Sequence, residues 1–130
     1  MSQNFNTKII SPEKIIFSND VQQVVLPGIE GDMTILYDHI PLITVLRPGI
    51  ATITFNNNNE KYFVEDGLIE FIQNNLTILS SNIINFQEIT KDYLLKITEN
   101  TKKELNNKNI SDQDKYILDQ KTEAINTINI

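Results

Sequence analysis

The chain has 130 residues and a mass of 14.9 kDa, one domain's worth, and its 40% hydrophobic and 22% charged content is near ordinary globular usage. That composition excludes a wholly disordered chain, a collagen and a mucin-like stalk. The absence of cysteine excludes a disulfide framework, a thiolate metal site and a cysteine nucleophile. A net charge of −6 with a single arginine, Arg47, argues against a nucleic-acid partner, whose phosphates need clustered basic charge.

The opening MSQNFNTK has no basic stretch followed by an apolar core and does not read as a signal peptide. No apolar run approaches the roughly 20 residues needed to cross a bilayer. A soluble chain of a cytoplasm-like compartment is expected. Direct bilayer insertion is not, although docking onto a membrane complex stays open.

Two parts are predicted, residues 1–84 and residues 85–130. All four prolines and all four glycines lie in the first. There, short β-rich runs at 5–10, 14–18, 21–26 and 34–37 precede runs at 42–47, 50–55, 61–65, 68–72 and 76–80, which read as an antiparallel meander. Pro27-Gly28 and Pro48-Gly49 fit type II turns, Asp66-Gly67 a type I′ hairpin, and Asn74-Asn75 and the run 56–59 further turns. Within 50–55, Ala51, Ile53 and Phe55 face one way while Thr52 and Thr54 face the other. Many short strands with spaced turns predict an all-β sandwich or flattened barrel.

The second part predicts an antiparallel helical hairpin. Asn85 with Glu88 fits a capping box, followed by a stripe at Ile89, Tyr93 and Ile97, with Leu94 and Leu105 close to it. The run 106–109 breaks the pattern. Ser111, followed by Asp112 and Asp114, reads as a second N-cap, before a stripe at Tyr116, Ile117, Leu118, Gln120, Ala124, Ile125 and Ile128. The stripes are thin, so the hairpin should be marginal on its own.

Residues that could carry chemistry are few. No phosphate-cradling glycine loop and no G-x-S-x-G occurs. His39 beside Asp38 could act as an oriented general base, but no nucleophile or second base lies near, and a surface or interface role is the simpler reading. Glu65, Asp66 and Glu70 gather around a turn, and Glu30 and Asp32 flank Gly31. Both groups read as turn chemistry rather than as cation sites. No catalytic residue, cofactor or metal is expected, and protein–protein contact accounts for the chain better than catalysis.

Three ordered segments carry a resemblance. Residues 24–50, VVLPGIEGDMTILYDHIPLITVLRPGI, resemble the signature LPG-x-EG-[DE]-x-GIL-x-GH-x-PL-x-T-x-L-x-PG of the epsilon subunit of F-type ATP synthases. The run IISPEKIIFSND resembles the family's opening, with Ser11, Pro12, Phe17 and Ser18 in step. FVEDGLIEFIQNNLTILSS resembles a third family segment through Gly67, Glu70, Asn75, Thr77, Ile78 and Leu79. The resemblance covers essentially the whole chain.

It implies a non-catalytic rotor subunit of the central stalk, on the cytoplasmic face of the bacterial inner membrane. Such a subunit binds gamma and the polar loops of the c-ring, and couples ion flow to ATP synthesis. Partner-binding residues implied are Gly31, Asp32 and His39 toward the c-ring, with Pro41 and Leu42 near gamma. The alpha and beta subunits would be further partners if the hairpin extends. In many members the extended hairpin inhibits ATP hydrolysis and its second helix is basic; here that helix has only Lys115 and Lys121 against Asp112, Asp114, Asp119 and Glu123, so contact with an acidic catalytic-subunit surface would be weak or repulsive and inhibition through the hairpin is not expected. ATP-sensing relatives carry I/L-D-x-x-R-A where this chain reads Ile89-Thr90-Lys91-Asp92-Tyr93-Leu94, so no tight ATP site is expected. Asp38, Asp66 and Thr34 stand at family glycines. Aspartate tolerates left-handed backbone, whereas Thr34 should be extended. The rival reading is a free-standing β-sandwich ligand- or protein-binding module, although the phenylalanines are scattered rather than gathered into a pocket.

Overall fold

The computed structural model describes residues 3–128. Ten strands come first: β1 (Phe5–Ile10), β2 (Ile15–Val21), β3 (Gln23–Gly28), β4 (Gly31–Ile35), β5 (Leu42–Leu46), β6 (Gly49–Phe55), β7 (Asn58–Val64), β8 (Gly67–Ile72), β9 (Asn75–Leu79) and β10 (Ile83–Asn85). A 3₁₀ turn at Phe86–Glu88 leads to helices α1 (Lys91–Leu105) and α2 (Asp112–Asn126). The strands form one sheet in the order β10-β7-β6-β3-β5-β8-β9-β1-β2, with β4 on β3. This sheet folds back on itself, so the expected flattened barrel followed by a helical pair is what forms.

The middle of the sheet is built differently from the expected meander. Every pair from Phe55↔Asn58 through Gly49↔Val64 to Leu46↔Gly67 and Leu42↔Phe71 keeps one register. Residues 42–71 are therefore a single long hairpin. Its ladder is interrupted at Arg47–Pro48 on one side and Glu65–Asp66 on the other, and there it bends from one layer into the other.

Neither Pro-Gly pair is a type II turn, because only Gly31 and Gly67 among the glycines have positive φ. Gly28 ends β3 and Gly49 opens β6, and what each position demands is room. A Cβ on Gly49 would lie 2.5 Å from Pro27 Cβ, and one on Gly28 would lie 2.8 Å from the Gly31 carbonyl oxygen. Asp66-Gly67 is likewise no I′ turn, since Gly67 alone is at positive φ and the pair lies at the bend. The true I′-like turns are Asn56-Asn57 (φ 51° and 62°) and Gln73-Asn74 (φ 48° and 61°), the second one residue earlier than expected. Asp38 takes φ 63°, as its glycine-like position predicts, and Thr34 lies extended within β4.

Between the layers sits the main core, which includes Phe5, Ile9, Val24, Leu26, Ile35, Ala51, Ile53, Tyr62, Ile69, Phe71 and Ile78. Phe5 meets Phe71 edge-to-face at 5.6 Å, and Phe17 meets Phe55 the same way at 5.3 Å. Tyr62 keeps its hydroxyl satisfied by donating to Glu60 at 2.7 Å, and Asn85 donates to the same carboxylate oxygen at 2.6 Å, which ties β10 to β7.

Burial, then the hydrogen bond to Glu60 and its charge, raise the Tyr62 phenol well above its ordinary pKa. A phenol raised in the folded state stays protonated while the unfolded chain ionises near pH 10. Its stabilisation is full below that pH and is lost as the pH rises, by about 1.4 kcal/mol per pH unit. The melting temperature should therefore fall above about pH 10, and Tyr62→Phe should flatten that fall. Equal slopes in a thermal-melt series of wild type and variant would refute this.

Helix α1 starts later than the Asn85 capping box implied. Asn85 accepts from the Gln87 amide at 2.9 Å and caps only the 3₁₀ turn. Ile89 is extended and buried, and Thr90 caps α1 by accepting from the Tyr93 amide at 3.1 Å. The second cap is as read, with Ser111 accepting from the Asp114 amide at 3.0 Å. Tyr116 lies off the buried stripe and is exposed, while Leu118, Ala124, Ile125 and Ile128 are buried.

Candidate functional site

Two surfaces and one joint emerge from this arrangement. The first surface is the outer face of β6, β7 and β10, where Ile50, Phe63 and Ile84 stand side by side across the strands. The helical hairpin covers it. Phe63 is fully buried there with Ile89, Ile97, Ala124, Ile125 and Ile128, and Ile50, Ile84, Phe86, Tyr93 and Leu94 pack around them.

The joint is the bend of the long hairpin, and α2 reaches both of its sides. Lys121 Nζ lies 2.5 Å from Glu65 Oε1, with the side chains only 13% and 23% exposed. Burial, followed by the charge of Glu65, raises the pKa of the Tyr93 phenol. Across the bend, Arg47 Nη2 donates to Asp32 Oδ1 at 2.6 Å, and Arg47 Nη1 donates to the Pro48 carbonyl at 3.2 Å. A cleft of about 250 Å³ separates this pair from Gln120, Glu123, Ala124 and Thr127 of the helical segment. Sequence reading missed both ion pairs, whose members lie 15 and 56 positions apart.

The second surface is the opposite outer face. Val45 pairs with Leu68, Leu68 with Leu79, Leu79 with Ile10 and Ile10 with Ile15. They make an apolar row across five strands. Val45, Leu68, Leu79 and Ile15 are exposed, and a groove lined by Ile10, Ser11, Pro12, Asp66, Gly67, Leu68, Leu79, Ser80 and Ser81 runs beside them. Alternation along β5, β8, β9 and β1 carried this signal: each strand has apolar residues on both faces, more than one core can use.

The residues singled out in the sequence do not form one cluster. Gly31 and Asp32 sit at the β3–β4 turn, while His39 and Pro41 lie beyond the other end of β4, whose five residues span about 13 Å. Asp32 is exposed. His39 is half-buried, its Nδ1–H donates to the Ile40 carbonyl at 2.7 Å, and its ring stands edge-on to Phe71 at 5.8 Å. Asp38 turns away to Asn74: its amide donates to Asn74 Oδ1 at 2.7 Å, and its carboxylate accepts from Asn74 Nδ2 at 2.9 Å. The His39–Asp38 base is therefore not assembled. Leu42 is half-buried against the core, and the outward residue is Ile43, 69% exposed. No group of three metal-ligating side chains converges among the described residues.

A folded-over sheet with a docked helical pair on one face leaves an exposed apolar row on the other, a surface of the class that binds another protein. Residues 4–86 match the family described as "ATP synthase, Delta/Epsilon chain, beta-sandwich domain". The ATP synthase epsilon chain of Pelagibacter ubique is 42% identical over 99% of this chain and 100% of that relative. That of Allorhizobium ampelinum is 36% identical over 81% of this chain and 78% of its own length. Two solved structures share the fold at 16% identity. A chain of the Euglena gracilis mitochondrial ATP synthase aligns with a TM-score of 0.72 over 95% of this chain and 78% of that one. A chain of the Tetrahymena thermophila mitochondrial ATP synthase central stalk and c-ring aligns with a TM-score of 0.63 over 96% and 93%.

The chain belongs to the ATP synthase epsilon chain family. Members of this family are non-catalytic subunits of a membrane-associated complex, and no helix among the described residues is long and apolar enough to cross a membrane.

Proposed function

We propose that the chain is a central-stalk rotor subunit that joins gamma to the c-ring on the cytoplasmic face of the bacterial inner membrane. The observation that carries this reading is the apolar row Ile15, Ile10, Leu79, Leu68 and Val45, left open on a chain whose other apolar sheet face is covered by its own helices. A contiguous exposed apolar band of this kind marks a protein-binding face. Gamma docks on it, with Ile43 and Pro41 at its margin. The polar turns take the c-ring: Gly31 and Asp32 offer an exposed carboxylate on a tight turn, and His39 offers a second polar contact from the next loop. Residues 1–84 supply these contacts, and residues 85–130 add the hairpin. The docked hairpin leaves alpha and beta contacts to an extended form, which the acidic α2 disfavours.

A tagged chain purified from solubilised membranes should bring down gamma and the membrane-bound ATPase. Leu68→Glu together with Leu79→Glu should abolish that recovery while the isolated variant keeps its β-sheet circular dichroism. Full recovery with the folded double variant would place gamma elsewhere.

A further inference from the structure

We propose that Arg47 is shared between Asp32 and the C-terminal end of α2, so that taking the Asp32 carboxylate away from it tightens α2 onto the sandwich. Arg47 sits at the bend with its side chain 17% exposed, whereas Asp32 is 71% exposed. A guanidinium this far from water needs a counter-charge, and the structure supplies one at 2.6 Å. The opposite wall of the same cleft offers a second. Glu123 lines it, is exposed, and has no ion-pair partner among the described residues. Thr127, the C-cap of α2, lines it too, and the last turn of α2 contains no basic side chain of its own. The carbonyl end of a helix carries partial negative charge, which a cation within about one turn stabilises. Arg47 is thus the cation that α2 lacks, held to the far wall by Asp32.

The two claims on Arg47 are unequal. Asp32 is largely hydrated and open to any external donor, while Arg47 is not free to leave. When a donor from another protein occupies Asp32, the arginine keeps its need for a counter-charge, and Glu123 and the end of α2 are what the cleft provides. A long side chain crosses such a cleft by rotation about its own bonds, with the backbone fixed at Arg47 N–H to Pro27 O, 2.9 Å. Engagement of the β3–β4 turn therefore locks the hairpin down, and by linkage a docked hairpin frees Asp32 for its partner. The hand-over lies within this chain and rests on the reading above only for what takes Asp32.

Hydrogen exchange on the full chain tests it. Asp32→Asn should slow amide exchange over residues 118–126 on the order of five-fold, the low end of usual coupling. Amides of β8 and β9, remote from the cleft, should keep their rates. The slowing should vanish in Asp32→Asn/Glu123→Gln and in Asp32→Asn/Arg47→Gln. An unchanged or faster α2 rate in Asp32→Asn, or equal slowing in β8 and β9, would overturn the proposal. Failure of the rotor reading would appear separately, as an empty pull-down with these exchange rates unaffected.

Discussion

Replacing Phe63 with alanine is expected to release the helical hairpin while the sheet stays folded. Phe63 is fully buried, but not between the layers: it stands on the outer face of β7, between Ile50 and Ile84, under the helices. It is the one fully buried aromatic ring of the cluster that joins the helices to the sheet, beside smaller aliphatic contacts and the Lys121–Glu65 pair. Ile97 and Thr101 are the buried residues of α1, and Leu118, Ala124 and Ile125 those of α2. Loss of a buried phenylalanine costs about 3–5 kcal/mol, and here nearly all of it falls on one interface. Trypsin should then cut the variant rapidly between Lys91 and Lys121, leaving a resistant fragment that spans the sheet. Simultaneous digestion of sheet and helices would mean that the two parts unfold as one cooperative unit.

Gly49→Val should be the most damaging of the glycine substitutions in the sheet that fail for lack of room rather than for backbone conformation. Its Cβ would lie 2.5 Å from Pro27 Cβ and 3.0 Å from Pro27 Cγ, and a proline ring in a paired strand cannot swing aside. Overpacking of this kind costs about 1–3 kcal/mol, and the two further methyl groups put valine at the upper end, about 3 kcal/mol. The same substitution presses on Arg47 Nη1, 3.3 Å away, so the Asp32–Arg47 pair should loosen with it. Urea denaturation gives the measurement, and a midpoint equal to wild type would show that β3 and β6 part freely despite their ladder from Gln23↔Thr54 to Val25↔Thr52.

The local signals in the sequence were legible because their causes are local. Asparagine at 56 and 57 tolerates left-handed backbone, Ser111 caps whatever helix follows it, and alternation in 50–55 decides which face turns inward. Strand order was not legible. Runs 42–47 and 50–55 look like two strands separated by a turn, because Pro-Gly is the usual sign of one. At Gly49 the glycine answers instead to Pro27, more than twenty residues earlier, and nothing in the dipeptide carries that information. Asn85 misled for a related reason: a cap residue specifies that a helical turn begins, not how long it lasts, and burial of an extended Ile89 ended this one. The candidate contact residues were read from a motif, which fixes chain positions and not side-chain directions. Leu42 therefore proved to face the core, with Ile43 outward. The Lys121–Glu65 pair depends on α2 lying where it does, and the Arg47–Asp32 pair on the β3–β4 turn meeting the bend, so only the folded chain brings their members together.

β1 pairs in parallel with β9 along Asn6↔Asn75 to Ile10↔Leu79, and antiparallel with β2 on its other side. β1 is thus an interior strand whose second neighbour is synthesised almost seventy residues later. Until that neighbour emerges, β1 and β2 form only an isolated ribbon, too small to be stable in water. Sheet assembly must wait for the stretch around Leu79, and pairing across so long a loop is slow by its nature. A nascent chain stalled before that point would expose the edge of β1 and the apolar side of Phe5 and Ile9, which makes the unfinished polypeptide a natural client for chaperones.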